Sequence, residues 1–304
     1  MRNYLQTKGT SGHHMMLLSA AIQANYDYSS EADMAAKMRC GMSLSPIIAA
    51  LFANSPYADN RWSGWRTRRY AMWLDLDPDR CGLIPAVYDD DFGYEKYLDW
   101  VIHIPMFFVK RETEFVPVDN FTFADFLEKG FTHNGEHHQP TIADFELHLS
   151  TLFPEARLKK FIEVRSADGG PPEMAVALAA LCKGLFYHEP SLQKTNELLD
   201  TYGFEERVGM QRSVAQDGIR ARGAKWDMTE LALQIVELAQ DGLVAQNKLD
   251  ENGRDESCYL AVLKNVCERR QTLADDYLES FREGPFNQES ARKLYEASEL
   301  KYQF

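Results

Sequence analysis

Apolar and polar positions recur along this chain in two styles, short alternating runs in the first part and helical periods in the last. Leu17–Tyr28 alternates, placing Gln23, Asn25 and Asp27 on one face, and reads as a strand beside a wet pocket. Ser29-Ser30-Glu31-Ala32-Asp33 is a capped, acidic helix start. Met34, Met38, Leu44, Ile47, Ile48 and Leu51 carry that helix to about Phe52, with Pro46 expected to kink or divide it. Trp65–Leu76 reads as extended, Arg69, Ala71, Trp73, Asp75 and Asp77 sharing a face, before Asp77-Pro78-Asp79-Arg80 turns the chain. A short helix over Phe92–Trp100 leads to an apolar strand, His103–Val109, which Pro105 demotes to an edge or a bulge. Thr122–Lys129 is helical, Gly130–Pro140 is a loop, and Thr141 caps a helix reaching Leu152.

The sharpest stretch is Phe161-Ile162-Glu163-Val164-Arg165-Ser166-Ala167-Asp168-Gly169-Gly170. Phe161, Ile162 and Val164 favour a strand whose two-residue period sets Glu163 and Arg165 side by side, and Asp168-Gly169-Gly170-Pro171-Pro172 ends it with turn chemistry. A carboxylate that can ligate Mg²⁺ beside a permanent cation is what phosphoryl transfer uses, and the same pair also fits a partly buried salt bridge with no catalytic role. Beyond it the period is helical over Glu173–Tyr187, Ser191–Tyr202, Phe204–Gln216, Met228–Gln246, Glu256–Arg270 and Gln271–Arg282. The expected class is α+β. Strands and helices mix over residues 1–190, and a helical region, 191–304, packs on the same core.

Composition removes several function classes. The 304 residues are 45% hydrophobic, enough for a full core. A net charge of −13 argues against nucleic acid as a partner, since phosphate neutralisation needs clustered cations. No apolar run reaches the roughly 18–20 residues of a membrane span, and the start lacks a signal-peptide core, so a cytoplasmic protein is expected. Cys40, Cys81, Cys182, Cys258 and Cys267 form no C-x-x-C pair and read as reduced thiols. The spacing of His133, His137 and His138 matches no tight zinc set.

Six blocks in order carry a family likeness. They are the runs from Asn25 to Met34, Ala50 to Pro56, Asp75 to Arg80, Ile104 to Phe108, His148 to Glu155 and Glu163 to Gly170. Together they resemble the glutamate–cysteine ligases of the plant and proteobacterial branch. The resemblance implies a glutamine-synthetase-like fold, of which this chain holds part of an antiparallel sheet with packed helices. It implies ATP with Mg²⁺, the substrates L-glutamate and L-cysteine, and γ-glutamylcysteine formation in glutathione synthesis, in the cytoplasm or, in a plant-type lineage, the plastid.

Residue by residue, it implies that Glu163 ligates Mg²⁺ with Gln23, and that Arg165 stabilises the phosphoryl group in flight. Gln23 and Asn25 contact nucleotide or metal, Arg69 with Trp73 holds the glutamate α-carboxylate, and Met106 with Phe107 lines the cysteine pocket. Plainer readings stand beside these: Gln23 and Asn25 as satisfied core polars, Asp75 and Asp77 as turn caps, Arg157 and Lys159 as solvated charge. The family usually has Tyr where Phe107 stands, which leaves a different amine open, and the cysteine pair that controls plant enzymes falls at Asn134 and Val176. Members run well over a hundred residues further at the N-terminus. The chain then corresponds to the C-terminal part of the ligase core, the rest lying in a longer frame or a partner chain. The alternative is a catalytically incomplete remnant serving as an interaction or regulatory subunit.

Overall fold

The computed structural model describes residues 2–5, 7–59, 61–118, 120–280, 289 and 292. Its central sheet has three strands, β1 (Ala21–Tyr26), β2 (Ala156–Leu158) and β3 (Ile162–Asp168), in the order β1-β3-β2 with both pairings antiparallel. All seven residues of β3 are buried, Ile162, Val164 and Ala167 against the apolar cores and Glu163, Arg165, Ser166 and Asp168 by polar partners. Two steps along β1, from Ala24 to Ile22, face three along β3, from Val164 to Ala167, so β3 carries one extra residue opposite Gln23. That bulge lets Val164 and Ala167 enter the same apolar core although they lie three positions apart.

The core side of the sheet is covered by α1 (Glu31–Leu51) and, after α2 (Arg68–Leu74), by α3 (Pro172–Phe186). Onto these pack α4 (Phe204–Asp217) and α5 (Met228–Gln246), so the helical last third joins the core that Val164 and Ala167 enter. Ser30 caps α1 by accepting from the Asp33 amide. Met34, Met38 and Met42, four apart on α1, fill a second cluster with Ile162 and Val101. Helices α3 and α5 cross at two glycines, where a Cβ on Gly184 would lie 2.1 Å from the Ala239 carbonyl and one on Gly242 would lie 1.9 Å from the Gly184 carbonyl.

Several expected elements differ. Trp65–Leu76 is not extended: Thr67 accepts from the Tyr70 amide and starts α2, a cap that alternation alone does not reveal. The strand expected over Leu17–Tyr28 begins only at Ala21, after a helix Gly12–Leu18. Pro46 does not divide α1, which runs unbroken with both neighbours of that turn buried. Pro105, without an N–H, delays the strand after it to Phe108–Arg111, which forms a hairpin with Glu114–Pro117. The histidine loop is a second hairpin, Phe131–His133 against Glu136–His138, turned by Asn134 and Gly135 at φ 52° and 84°. The helix expected over Glu256–Arg270 starts as a 3-10 turn, Glu256–Leu260, before Ala261–Arg269. Leu273–Ser280 is helical, and residues 281–282 of the stretch expected there lie outside the described residues. Among the described residues no helix is long and apolar enough to cross a membrane. All five cysteines are free thiols.

Candidate active site

The polar side of β3 collects the charge. Asn25 of β1 and Arg157 of β2 stand directly opposite Glu163 in one cross-strand row. Arg157 donates to both Glu163 carboxylate oxygens at 2.9 and 3.0 Å, Lys159 donates to Oε2 at 3.0 Å, and Arg165 donates to Oε1. Burial pushes the Glu163 carboxyl up, but the bonds from Arg157 and Lys159 and the Arg165 charge outweigh it and hold it at about 2. Three cations thus share one carboxylate, leaving two positive charges in excess on this face.

Aromatic rings fix the direction of Arg165. Its guanidinium carbon lies 5.6 Å from the Trp73 ring and 5.7 Å from the Phe153 ring, within the range of cation–π attraction. Arg69, one helical turn before Trp73, lies 6.0 Å from the same ring. It spends two of its five N–H donors on the carbonyls of Arg165 (2.8 Å) and Ser166 (3.4 Å), so α2 is tied to the bulge itself. Glu155, buried, accepts from Ser166 Oγ at 2.6 Å and from Gln211 at 3.0 Å; burial raises its carboxyl against the Ser166 bond and the Arg69 charge. Asp168 accepts from the Asn54 amide (2.9 Å), Ser55 Oγ (2.7 Å) and Thr67 Oγ1 (2.9 Å). It thereby joins β3, the loop after α1 and the start of α2. On the far side of Arg69 a cleft of about 910 Å³ opens between Ser55, Arg68, Gly170 and Tyr277, within the size of small-molecule sites.

Glu163, Arg165, Arg69 and Trp73 therefore come together. Asn25 joins them from the edge strand and Gln23 faces the bulge, both exposed rather than core polars. Phe107 is 3% exposed, in a cluster that also touches Trp73 and Phe153, whereas Met106 turns away into a phenylalanine cluster with Phe123 and Phe126. Asp77 does cap its turn, accepting from the Asp79 amide. As metal ligands Glu163 and Gln23 do not fit: Mg²⁺ requires a near-octahedral set of oxygens, and both Glu163 oxygens are engaged by cations. Among the described residues no three His, Cys, Asp or Glu side chains are grouped to hold a metal ion. Sequence reasoning took Arg157 and Lys159 for solvated charge. The signal that marks them is the two-residue spacing they share with Glu163 and Arg165 on the paired strand.

The chain is similar to known proteins over most of its length. The chain is 39% identical over 282 residues to "Glutamate--cysteine ligase, chloroplastic" of Medicago truncatula, covering 92% of this chain and 54% of that protein. It is 38% identical over 282 residues to the protein of that name from Arabidopsis thaliana, again 92% of this chain and 52% of the relative. It is 39% identical over 243 residues to "Glutamate--cysteine ligase B, chloroplastic" of Oryza sativa subsp. japonica, 80% of this chain and 49% of that one. The chain thus spans about half the length of the curated relatives it matches. The model of glutamate–cysteine ligase family 2 matches residues 1–297, from before β1 to beyond the last described helix, and on that span the chain belongs to this family.

Proposed function

We propose that this chain carries out, or carries part of, the ATP-dependent joining of the L-glutamate side-chain carboxylate to the amine of L-cysteine. The observation that carries the reading is the cation excess on the polar side of β3, where Arg157, Lys159 and Arg165 surround Glu163. A carboxylate at neutral pH is a poor acyl donor. One of its oxygens must attack the γ-phosphorus of ATP, expelling ADP, and the amine then attacks the acyl carbon, loses a proton and expels phosphate. Each step gathers negative charge on phosphoryl oxygens, which fixed guanidinium groups stabilise without rearrangement.

In this reading Arg165, held between Trp73 and Phe153, faces the transferring phosphoryl group, and Glu163 keeps the three cations together. Arg69, with three N–H donors beyond its two carbonyl bonds, and Trp73 take the glutamate α-carboxylate. Phe107 walls the amine pocket, and Gln23 and Asn25, exposed beside Glu163, meet the nucleotide. The sheet β1-β3-β2 is then a portion of a glutamine-synthetase-like sheet. The test is mass-spectrometric detection of γ-glutamylcysteine formed from ATP, glutamate and cysteine. Arg165→Lys should lower kcat by about 10²–10³-fold, the range for losing one transition-state donor. Absence of product from the unsubstituted protein sinks the ligase reading, and product formation at the unsubstituted rate in Arg165→Lys removes Arg165 from the phosphoryl step.

A further inference from the structure

Arg80 is fully enclosed, at 0% exposure, and nothing in the reaction above uses it. Its Nε donates to Asp77 Oδ2 at 2.6 Å, so the charge is balanced inside the protein. Its remaining donors reach two other segments, the Pro105 carbonyl at 2.6 Å and the carbonyl and hydroxyl oxygens of Thr151 at 3.4 Å. The guanidinium carbon sits 3.7 Å from the centre of the Phe107 ring, close enough for flat stacking, while Tyr4 meets the same ring edge-on at 4.8 Å. The Arg80 backbone carbonyl accepts from the Phe153 amide at 2.8 Å, and Phe153 is the ring beside Arg165.

From these contacts we infer that Arg80 is the positioning residue of the amine pocket, orienting Phe107 from behind and fixing the backbone that leads into it. The inference rests on the ligase reading with Phe107 as the pocket wall. One guanidinium sets both the ring plane and the carbonyl two residues earlier, so the wall is held in one orientation before the amine arrives. Arginine is required for this. Lysine can still neutralise Asp77, but its three donors sit on one nitrogen without a plane, so it cannot also reach Pro105 and Thr151 on separate segments and stack flat on Phe107.

Steady-state kinetics of three variants test it: Arg80→Lys, Phe107→Leu and the double variant. Arg80→Lys should raise KM for cysteine about tenfold while KM for glutamate and for ATP stay unchanged, a split that a general loosening of the fold would not produce. Phe107→Leu, which leaves the Arg80 bonds intact, should raise the same KM, and the double variant should be no worse than the larger single effect, because both remove one wall. Equal movement of all three KM values in Arg80→Lys, or no movement, overturns the inference. So does an unchanged cysteine KM in Phe107→Leu, a result that does not depend on Arg80→Lys folding. If the unsubstituted protein joins glutamate to no amine, the ligase reading falls and takes the role of Arg80 with it. A flat response within an active ligase removes that role alone.

Discussion

His148 shows how one side chain ties stability to pH. It stacks on Phe123 at 5.6 Å, its Nε2 meets the Val101 carbonyl at 2.8 Å, and its Nδ1 is buried without a partner. Burial pushes its pKa from 6.5 down to about 4, against the Val101 bond that favours the proton. The folded state therefore binds fewer protons than the unfolded state between those values, so stability is full above pH 6.5 and falls as the pH drops towards 4. The loss should reach roughly 3 kcal/mol. Urea unfolding at a series of pH values should show this slope, and His148→Gln should flatten it; an unchanged slope assigns the acid sensitivity to other groups. At this scale the sequence was legible where chemistry and spacing coincide, as at Glu163 and Arg165. It was silent on Glu155 and Arg80, because a charge whose partners lie 11 or 25 residues away looks solvated until the fold brings those partners in.

Among the elements, the crossing of α3 and α5 has the least room. Gly242→Ala would drive a Cβ against the Gly184 carbonyl, backbone that cannot rotate away, so the helices must separate along a shared core. Overpacking of this kind should cost about 1–3 kcal/mol or more, read as a lower melting temperature with helix content retained. A neutral Gly242→Ala would mean that the two helices are free to shift. Helices were legible where the helical period runs long, as over Pro172–Phe186 and Met228–Gln246. The short α2 was not, since seven residues hold barely two turns and alternate just as well. Arg69 and Trp73 nonetheless share a face under either period, because four residues are two strand repeats and also one helical turn. The error in the element therefore left the pairing of the residues intact. Asn134-Gly135 is itself a hairpin signal, since both residues take the positive φ that a two-residue turn requires, and it outweighs the histidines around it.

Across the whole molecule the charge is uneven. The chain carries −13, yet the polar side of β3 holds two surplus cations, so an anion approaching from solution meets general repulsion and local attraction. Inorganic tripolyphosphate, which has the charge of a nucleotide tail without its base, should raise the melting temperature at low salt, and the rise should shrink at about 0.5 M NaCl. Arg157→Gln should remove most of the rise. A rise that survives in that variant places anion binding elsewhere on the surface. The extra residue in β3 has a consequence for how this sequence can change. It is the hinge of phase between two halves of one strand, and loss of a single codon at Arg165 or Ser166 would restore regular pairing at the wrong cost. Ala167 would still face the core opposite Ile22, but one of the two carbonyls, of Arg165 and of Ser166, that hold Arg69 and tie α2 to the strand would be gone. A loss of length at the bulge therefore costs the neighbouring helix an anchor that a substitution leaving the backbone in place would keep, because the groups Arg69 grips are main-chain carbonyls.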